Sequence, residues 1–256
     1  MPALRARTLP LGTWLAARGA LATLGIGLTI VAAFASIAAA LVVARSDGNG
    51  AAQLPALESS AIAWGAGAIL AFGAAVHALR RDREQGILAL VLLRGGTLGA
   101  YVRGRVGGVV VLLAATVGGA TLVGGLAAIS VAHPLAPTVR SALAAVVYAL
   151  AFAATIGPIA VATLGARTRA GGYLSLLAVL VVPELLAPWT ASLLPHGWHE
   201  LTSVPAALAA VRAGAAAPVE HAESLARAVA GLVAVVAMSL VVVAARARPG
   251  GTEDGG

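Results

Sequence analysis

The 256-residue chain contains no cysteine and no lysine, and only 11% of its residues are charged. Without cysteine there is no disulfide framework, no thiol nucleophile and no Cys-ligated zinc or iron–sulfur centre. The absence of lysine excludes a Walker A loop, whose Lys reaches the nucleotide phosphates, so the chain carries no ATPase motif of its own. Aromatic residues make up 4%, too few for a large aromatic core. A water-soluble domain carries roughly 25% charged residues. The shortage here, beside 60% hydrophobic residues and a mean hydropathy of +0.95, excludes an ordinary soluble fold. All seventeen basic residues are arginines, set against ten acids for a net charge of +7. On so apolar a chain that excess reads as membrane topology rather than as nucleic-acid binding. What is abundant is alanine and glycine, with 31 glycines, a composition suited to close helix contact in lipid. Arginine in place of lysine beside so much Ala and Gly also points to a GC-rich bacterial gene.

A helix rising 1.5 Å per residue needs about 20 apolar residues to cross a hydrocarbon core of about 30 Å. The gaps between charges therefore predict an all-α, polytopic membrane protein with six spans, over 19–44, 59–79, 106–132, 141–166, 171–194 and 228–245. These form one transmembrane domain over 1–248, with an inner loop at 80–105 and a long outer loop at 195–227. Basic residues of short loops stay on the cytoplasmic side. With the N-terminus inside, thirteen arginines lie in cytoplasmic segments, and only Arg45, Arg140, Arg212 and Arg227 lie outside. This predicts both termini inside and a multi-pass protein of the bacterial inner membrane. The 26-residue apolar stretch after Arg18 is too long for the roughly 7–15-residue core of a cleaved signal peptide. Before it, Arg5, Arg7 and Arg18 alternate with Leu4, Leu9, Leu11, Trp14 and Leu15, the pattern of an interfacial helix with Trp14 at headgroup level. Pro195, Pro205 and Pro218 surround Ala206–Ala216, which suits a short surface helix. The Gly-rich tail 249–256 is expected to be disordered.

The inner loop is the most specific segment. Arg80-Arg81-Asp82-Arg83-Glu84-Gln85-Gly86 leads into Ile87-Leu88-Ala89-Leu90-Val91-Leu92-Leu93, then Arg94-Gly95-Gly96-Thr97, then Leu98-Gly99-Ala100-Tyr101-Val102-Arg103-Gly104-Arg105. Physically this is a charged cluster, a two-turn apolar helix too short to span, a glycine break and a basic start to span three. Such a helix at the cytoplasmic face is either a docking knob for a partner protein or an element lying on lipid.

The segment resembles the signature of ABC-2 type transporter permeases, the membrane subunits of ATP-driven exporters. In that family an acid-x-Gly-Thr-Leu run opens a coupling helix, followed by leucines, an Arg-Pro pair, a Tyr, and Gly-Lys at the start of span three. Glu84, Gly86, Leu88, Leu92, Leu93, Arg94, Tyr101, Gly104 and Arg105 stand at matching spacing. Ile87 replaces the usual Thr, Gly95 the Pro, Leu98 a second Arg, and Arg105 the Lys with its charge kept. The resemblance implies half of a dimeric translocation pathway, homo- or heterodimeric, driven by separate ABC ATP-binding subunits. ATP and magnesium would lie on those subunits, and no cofactor or metal on this chain. Asp82, Arg83 and Glu84 would supply polar contacts to the ATP-binding subunit, and Leu88, Leu92 and Leu93 the apolar docking face, between Gly86 and Arg94. Arg103 and Arg105 would anchor span three to lipid phosphate, beside Tyr101 and Gly104. A narrower likeness is to the haem exporter permease of cytochrome c maturation. It is carried by Trp64, 22 residues before Gly86, by Asp82 heading the turn, and by Arg169-Ala170-Gly171-Gly172 leading through an apolar run to Pro183.

The remaining polar residues give weaker signals. His77 lies close to Arg80 and reads as an interfacial anchor. Glu184, 13 residues past Gly171, falls in the outer third of the membrane. It either lines an outer pathway, pairing with Arg140 or Arg212, or sits in a solvated turn beside Pro183 and Pro188. His196-Gly197-Trp198-His199-Glu200, with His221, raises a metal site, against which Gly197 and the missing cysteines argue. Thr116, Thr121, Ser130 and Thr155 have no base placed beside them, which disfavours a hydrolase. The glycines of spans two and three, among them Gly67, Gly108 and Gly124, read as helix-packing positions, with a hinge as the functional alternative. No intramembrane acid–base pair supports a proton-coupled carrier. An ATP-independent secondary carrier and a membrane anchor for another complex are the alternatives to an exporter permease.

Overall fold

The computed structural model describes residues 8–45, 50–165, 169–190, 193 and 198–247. These form ten helices: α1 (Thr8–Ala17), α2 (Ala20–Ala44), α3 (Leu54–Glu84), α4 (Ile87–Leu93), α5 (Leu98–Ser130), α6 (Leu135–Leu164), α7 (Gly171–Trp189), α8 (Trp198–Thr202), α9 (Val204–Ala216) and α10 (Ala222–Ala247). Six of them, α2, α3, α5, α6, α7 and α10, are long and apolar enough to cross a membrane. By helix length and hydropathy the chain is a multi-pass membrane protein.

Five of these helices depart from the intervals between charges. The third helix takes in Glu58, α5 takes in Arg103 and Arg105, α6 takes in Arg140, α10 takes in Arg227, and α7 stops at Trp189. A charge marks a site that needs water or a partner, not the place where backbone hydrogen bonding ends. Helix starts are set instead by capping chemistry. The Thr97 hydroxyl accepts from the Ala100 N–H at 3.1 Å to open α5, and Ser203 does the same for Ala206 at 3.1 Å to open α9. Pro55 occupies the first turn of α3, and Pro134 precedes α6.

Burial divides the spans into an interior and a rim. The membrane windows of α3 and α6 are 67% and 72% buried against 17% for α2 and α7, so α3 and α6 form the centre. Phe152, Ile156 and Ile159 of α6 pack there with Leu70 of α3 and Leu113 of α5, all fully buried. The Ala-rich segment of the last outer loop is a helix, as expected, but one face of it is buried rather than lying free on the surface. Val204, Ala207, Leu208 and Val211 recur at helical spacing, and α9 buries that stripe against α6 and α10. Most of the expected loop 195–227 is therefore helix.

Two short π turns interrupt the spans, Ala63–Gly67 in α3 and Ala114–Gly118 in α5. They meet around Phe152, whose ring stands edge-on to Trp64 at 5.2 Å and 86°. A Cβ on Gly67 would come within 2.8 Å of the Val117 side chain, so only glycine admits this approach.

The first helix lies across the start of α5 with backbone against backbone. A Cβ on Gly12 would sit 1.9 Å from the Gly104 carbonyl oxygen, and one on Gly108 would sit 2.2 Å from the Gly12 carbonyl carbon. The Arg18 guanidinium covers the Trp14 ring at 4.3 Å, and that ring is more than half exposed, an amphipathic pairing suited to a headgroup region. Residues 1–7, His196, Gly197 and the tail 249–256 lie outside the described residues.

Candidate functional site

The turn between the second and third spans is cut into short helices by three residues in the left-handed region: His77 (φ 55°), Gly86 (φ 66°) and Gly95 (φ 76°). Glycine takes this conformation without steric cost, whereas His77 does not. The break at His77 is stitched to the end of α6. The His77 N–H donates to the Leu164 carbonyl at 3.1 Å and the Leu79 N–H to the Gly165 carbonyl at 3.0 Å, which satisfies carbonyls left open at a helix C-terminus. The Arg81 side chain donates to the Val76 carbonyl at 3.3 Å across the same break.

Beyond the break, Ala78–Glu84 carries Asp82 into the protein rather than toward solvent. Its side chain is 2% exposed and that of Arg105 is 4% exposed, with Arg105 Nε 3.1 Å from Asp82 Oδ2. The Tyr101 hydroxyl donates to the same Oδ2 at 2.8 Å. Three sequence-predicted residues are thus brought together as one buried cluster, and two of their expected roles change. Asp82 is not a surface contact, because its carboxylate is consumed by Arg105 and Tyr101. Arg105 is no lipid-phosphate anchor, because its side chain is buried, lining a small cavity with Leu11 and Gly12 of α1 and Ile87 and Val91 of α4. Arg103 remains exposed. Gly104 serves the crossing of α1.

The rest of the segment is displayed. Glu84 pairs with Arg80 at 2.7 Å, both more than half exposed. Arg83 donates to the Arg246 carbonyl at the end of α10, and Arg246 in turn donates to the Ala162 carbonyl of α6. Leu93 is 83% exposed, Leu90 53% and Leu92 36%, while Leu88 is 6% exposed and belongs to the core. The apolar surface of α4 is therefore Leu90 and Leu93 with part of Leu92. Leu88 does not belong to it, since one turn of a two-turn helix must face inward to hold it in place. Arg94 is exposed at the helix end.

No protein-family model, curated protein or solved structure matches the chain.

Elsewhere, Glu184 pairs with neither Arg140 nor Arg212. Its carboxylate accepts a hydrogen bond from the Ser203 hydroxyl and lies 3.7 Å from His199 Nε2. Ser203 donates to the carboxylate and not to the imidazole, so this grouping lacks the serine–histidine contact of a hydrolase. The Thr116 and Ser130 hydroxyls bond carbonyls of their own helices at 2.8 and 2.7 Å. Among the described residues there is no group of three His, Cys, Asp or Glu placed to hold a metal ion. Glu58 immediately precedes the interval 59–79 expected for the second span. In the structure its buried carboxylate oxygens sit against Gly124 of α5 and Ser36 of α2. The acid's position three residues after Pro55 was the only sequence signal that it lies inside a helix.

Proposed function

We propose that the chain is the permease subunit of an ABC exporter, one half of a dimeric pathway, with the α3–α5 turn as the docking site for an ATP-binding subunit. One observation carries this reading. A short helix with exposed Leu90 and Leu93 lies between the end of α3 and the start of α5, which a buried Asp82–Tyr101–Arg105 cluster ties together. An exposed apolar knob suits protein recognition, and a buried ion pair whose carboxylate also accepts from the Tyr101 hydroxyl resists separation. A push delivered at Glu84, Leu93 and Arg94 is then passed to α5 through Asp82–Arg105, and to α6 through the His77 and Leu79 amides. Arg80, Arg81, Arg83, Arg94, Arg103 and Arg246 gather at this end, which supports placing it at the cytoplasmic face. Nucleotide and magnesium belong to the partner, and the chain contributes geometry rather than catalysis.

The test is co-purification in detergent with a candidate ATP-binding cassette subunit. The Glu84→Arg, Leu93→Asp double variant alters only exposed side chains. The reading expects it to lose the partner while keeping its own thermal stability; undiminished co-purification contradicts the assignment.

A further inference from the structure

At the end of the bundle opposite Asp82 and Arg105 a cleft of about 370 Å³ opens between the first turns of α3 and α6 and one face of α9. Its charged lining residues are Arg140 of α6 and Arg212 of α9, and Ser141 supplies a hydroxyl; alanines and Pro137 make up the rest. Among the described residues no carboxylate lines it. Other charges nearby are by contrast engaged. Arg227 is paired with Glu200 at 3.1 Å and also with Glu223, while Glu184 is taken by His199 and Ser203. Glu58 lies against Gly124 and Ser36, across α3 from the Ala56 and Ser60 face that Arg212 touches.

The two cations are held differently, and both arrangements leave charge uncompensated. Arg212 Nη1 donates to the Ala56 carbonyl at 2.7 Å and to the Ser60 hydroxyl at 2.5 Å, and the guanidinium lies 5.1 Å from the Tyr148 ring centre. Those partners are neutral: they fix the guanidinium without cancelling its charge. Arg140 is exposed and forms no ion pair with any described residue. Two like charges converging on a shared cleft repel one another, and arginines outside the membrane run against the topology rule, so their placement calls for an anion.

We infer that this cleft binds a phosphate group, gripped between Arg140 and Arg212 with Ser141 as a further donor. Phosphate fits better than carboxylate because the guanidinium groups approach from separate helices. A tetrahedral group presents oxygens in several directions and can face both forks at once, whereas a carboxylate presents its two oxygens in one plane. The volume is within the range of small-ligand sites, about 300–1,000 Å³, and the alanine walls leave room for an apolar remainder. The phosphate comes either on a lipid headgroup or on a free phosphate ester. The inference does not rest on the exporter reading, since binding belongs to this chain alone.

The experiment uses the full-length chain in detergent. One arm titrates inorganic phosphate at constant ionic strength, with chloride as control, and follows thermal unfolding by tryptophan fluorescence. The other measures retention of phosphatidylglycerol by native mass spectrometry. Arg140→Gln, Arg212→Lys and, as a matched loss of exposed charge, Arg45→Gln are compared with wild type. The site predicts saturable binding of one phosphate-bearing molecule per chain. Arg140→Gln weakens it about tenfold or more, as expected for a lost charged hydrogen bond, with the ligand-free unfolding temperature unchanged. Arg212→Lys weakens it because the fork is lost while the charge stays, and Arg45→Gln leaves it as in wild type. Stabilisation by phosphate alone identifies a soluble ester as the source, and retention of phosphatidylglycerol alone identifies lipid. Binding of neither probe, or binding equally reduced by Arg45→Gln, overturns the inference.

Discussion

Removing the Asp82 carboxylate tests whether the turn between the second and third spans is locked as described. In Asp82→Ala the Arg105 guanidinium, 4% exposed, is left without its counter-charge, and the Tyr101 hydroxyl loses its 2.8 Å acceptor. Breaking a buried pair from one side costs about 3–5 kcal/mol. Tyr101→Phe removes only a donor to a charged acceptor and should cost about 1.5–3 kcal/mol. In an Asp82→Ala, Arg105→Met double variant no charge remains buried, and the loss should fall below that of Asp82→Ala or Arg105→Met alone. The assay is unfolding by SDS in mixed micelles, read as a double-mutant cycle. The cycle should give an interaction energy of a few kcal/mol; losses that simply add would refute the ion pair as a unit. An Asp82→Ala chain no less stable than Tyr101→Phe would likewise show that Arg105 finds compensation elsewhere.

Two further outcomes follow from particular contacts. Gly108→Leu places a side chain where the Gly12 backbone lies, so α1 should detach from α5, and protease should then cleave near Trp14 much faster than in wild type; unchanged protection would mean that α1 is not held by this crossing. Because the chain has no cysteine, single-cysteine labelling reports topology without background. Leu93→Cys should react with a membrane-impermeant maleimide only from the cytoplasmic side, and Val219→Cys, at a residue 93% exposed, only from the outside. Labelling of both from one side would contradict the assigned topology.

Helix number and helical class were legible because hydropathy over 18 or more residues has few competing explanations. Helix ends were less so. Glu58, Arg140 and Arg227 read as boundaries, yet each lies within a helix, because long polar side chains reach partners or interface without ending the backbone ladder. The site was legible as a segment and not as a geometry. The spacing of Glu84, Gly86, Leu93 and Arg94 marked a displayed helix, and the positive-φ glycines at 86 and 95 are visible as glycines in the sequence. That Asp82 turns inward to Arg105 depends on two helices meeting 23 residues apart, which no local pattern encodes. The burial of Leu88 beside the exposure of Leu90 follows from which face of a seven-residue helix meets the core, and a helix that short has too few turns for its periodicity to decide. The buried stripe of α9 was present in the sequence at positions 204, 207, 208 and 211, masked by alanine, whose small side chain marks neither face strongly.

The central claim is that the exposed face of α4 meets an ATP-binding subunit. The most direct measurement places a photo-crosslinking amino acid at position 93 in living cells, with the same residue at position 219 as the control on the opposite end, and identifies adducts by mass spectrometry. The account predicts a crosslink from position 93 to an ATP-binding cassette protein, lost in Glu84→Arg, and none to that protein from position 219. A chain that crosslinks from position 93 only to lipid, or to that protein equally from both positions, would contradict it.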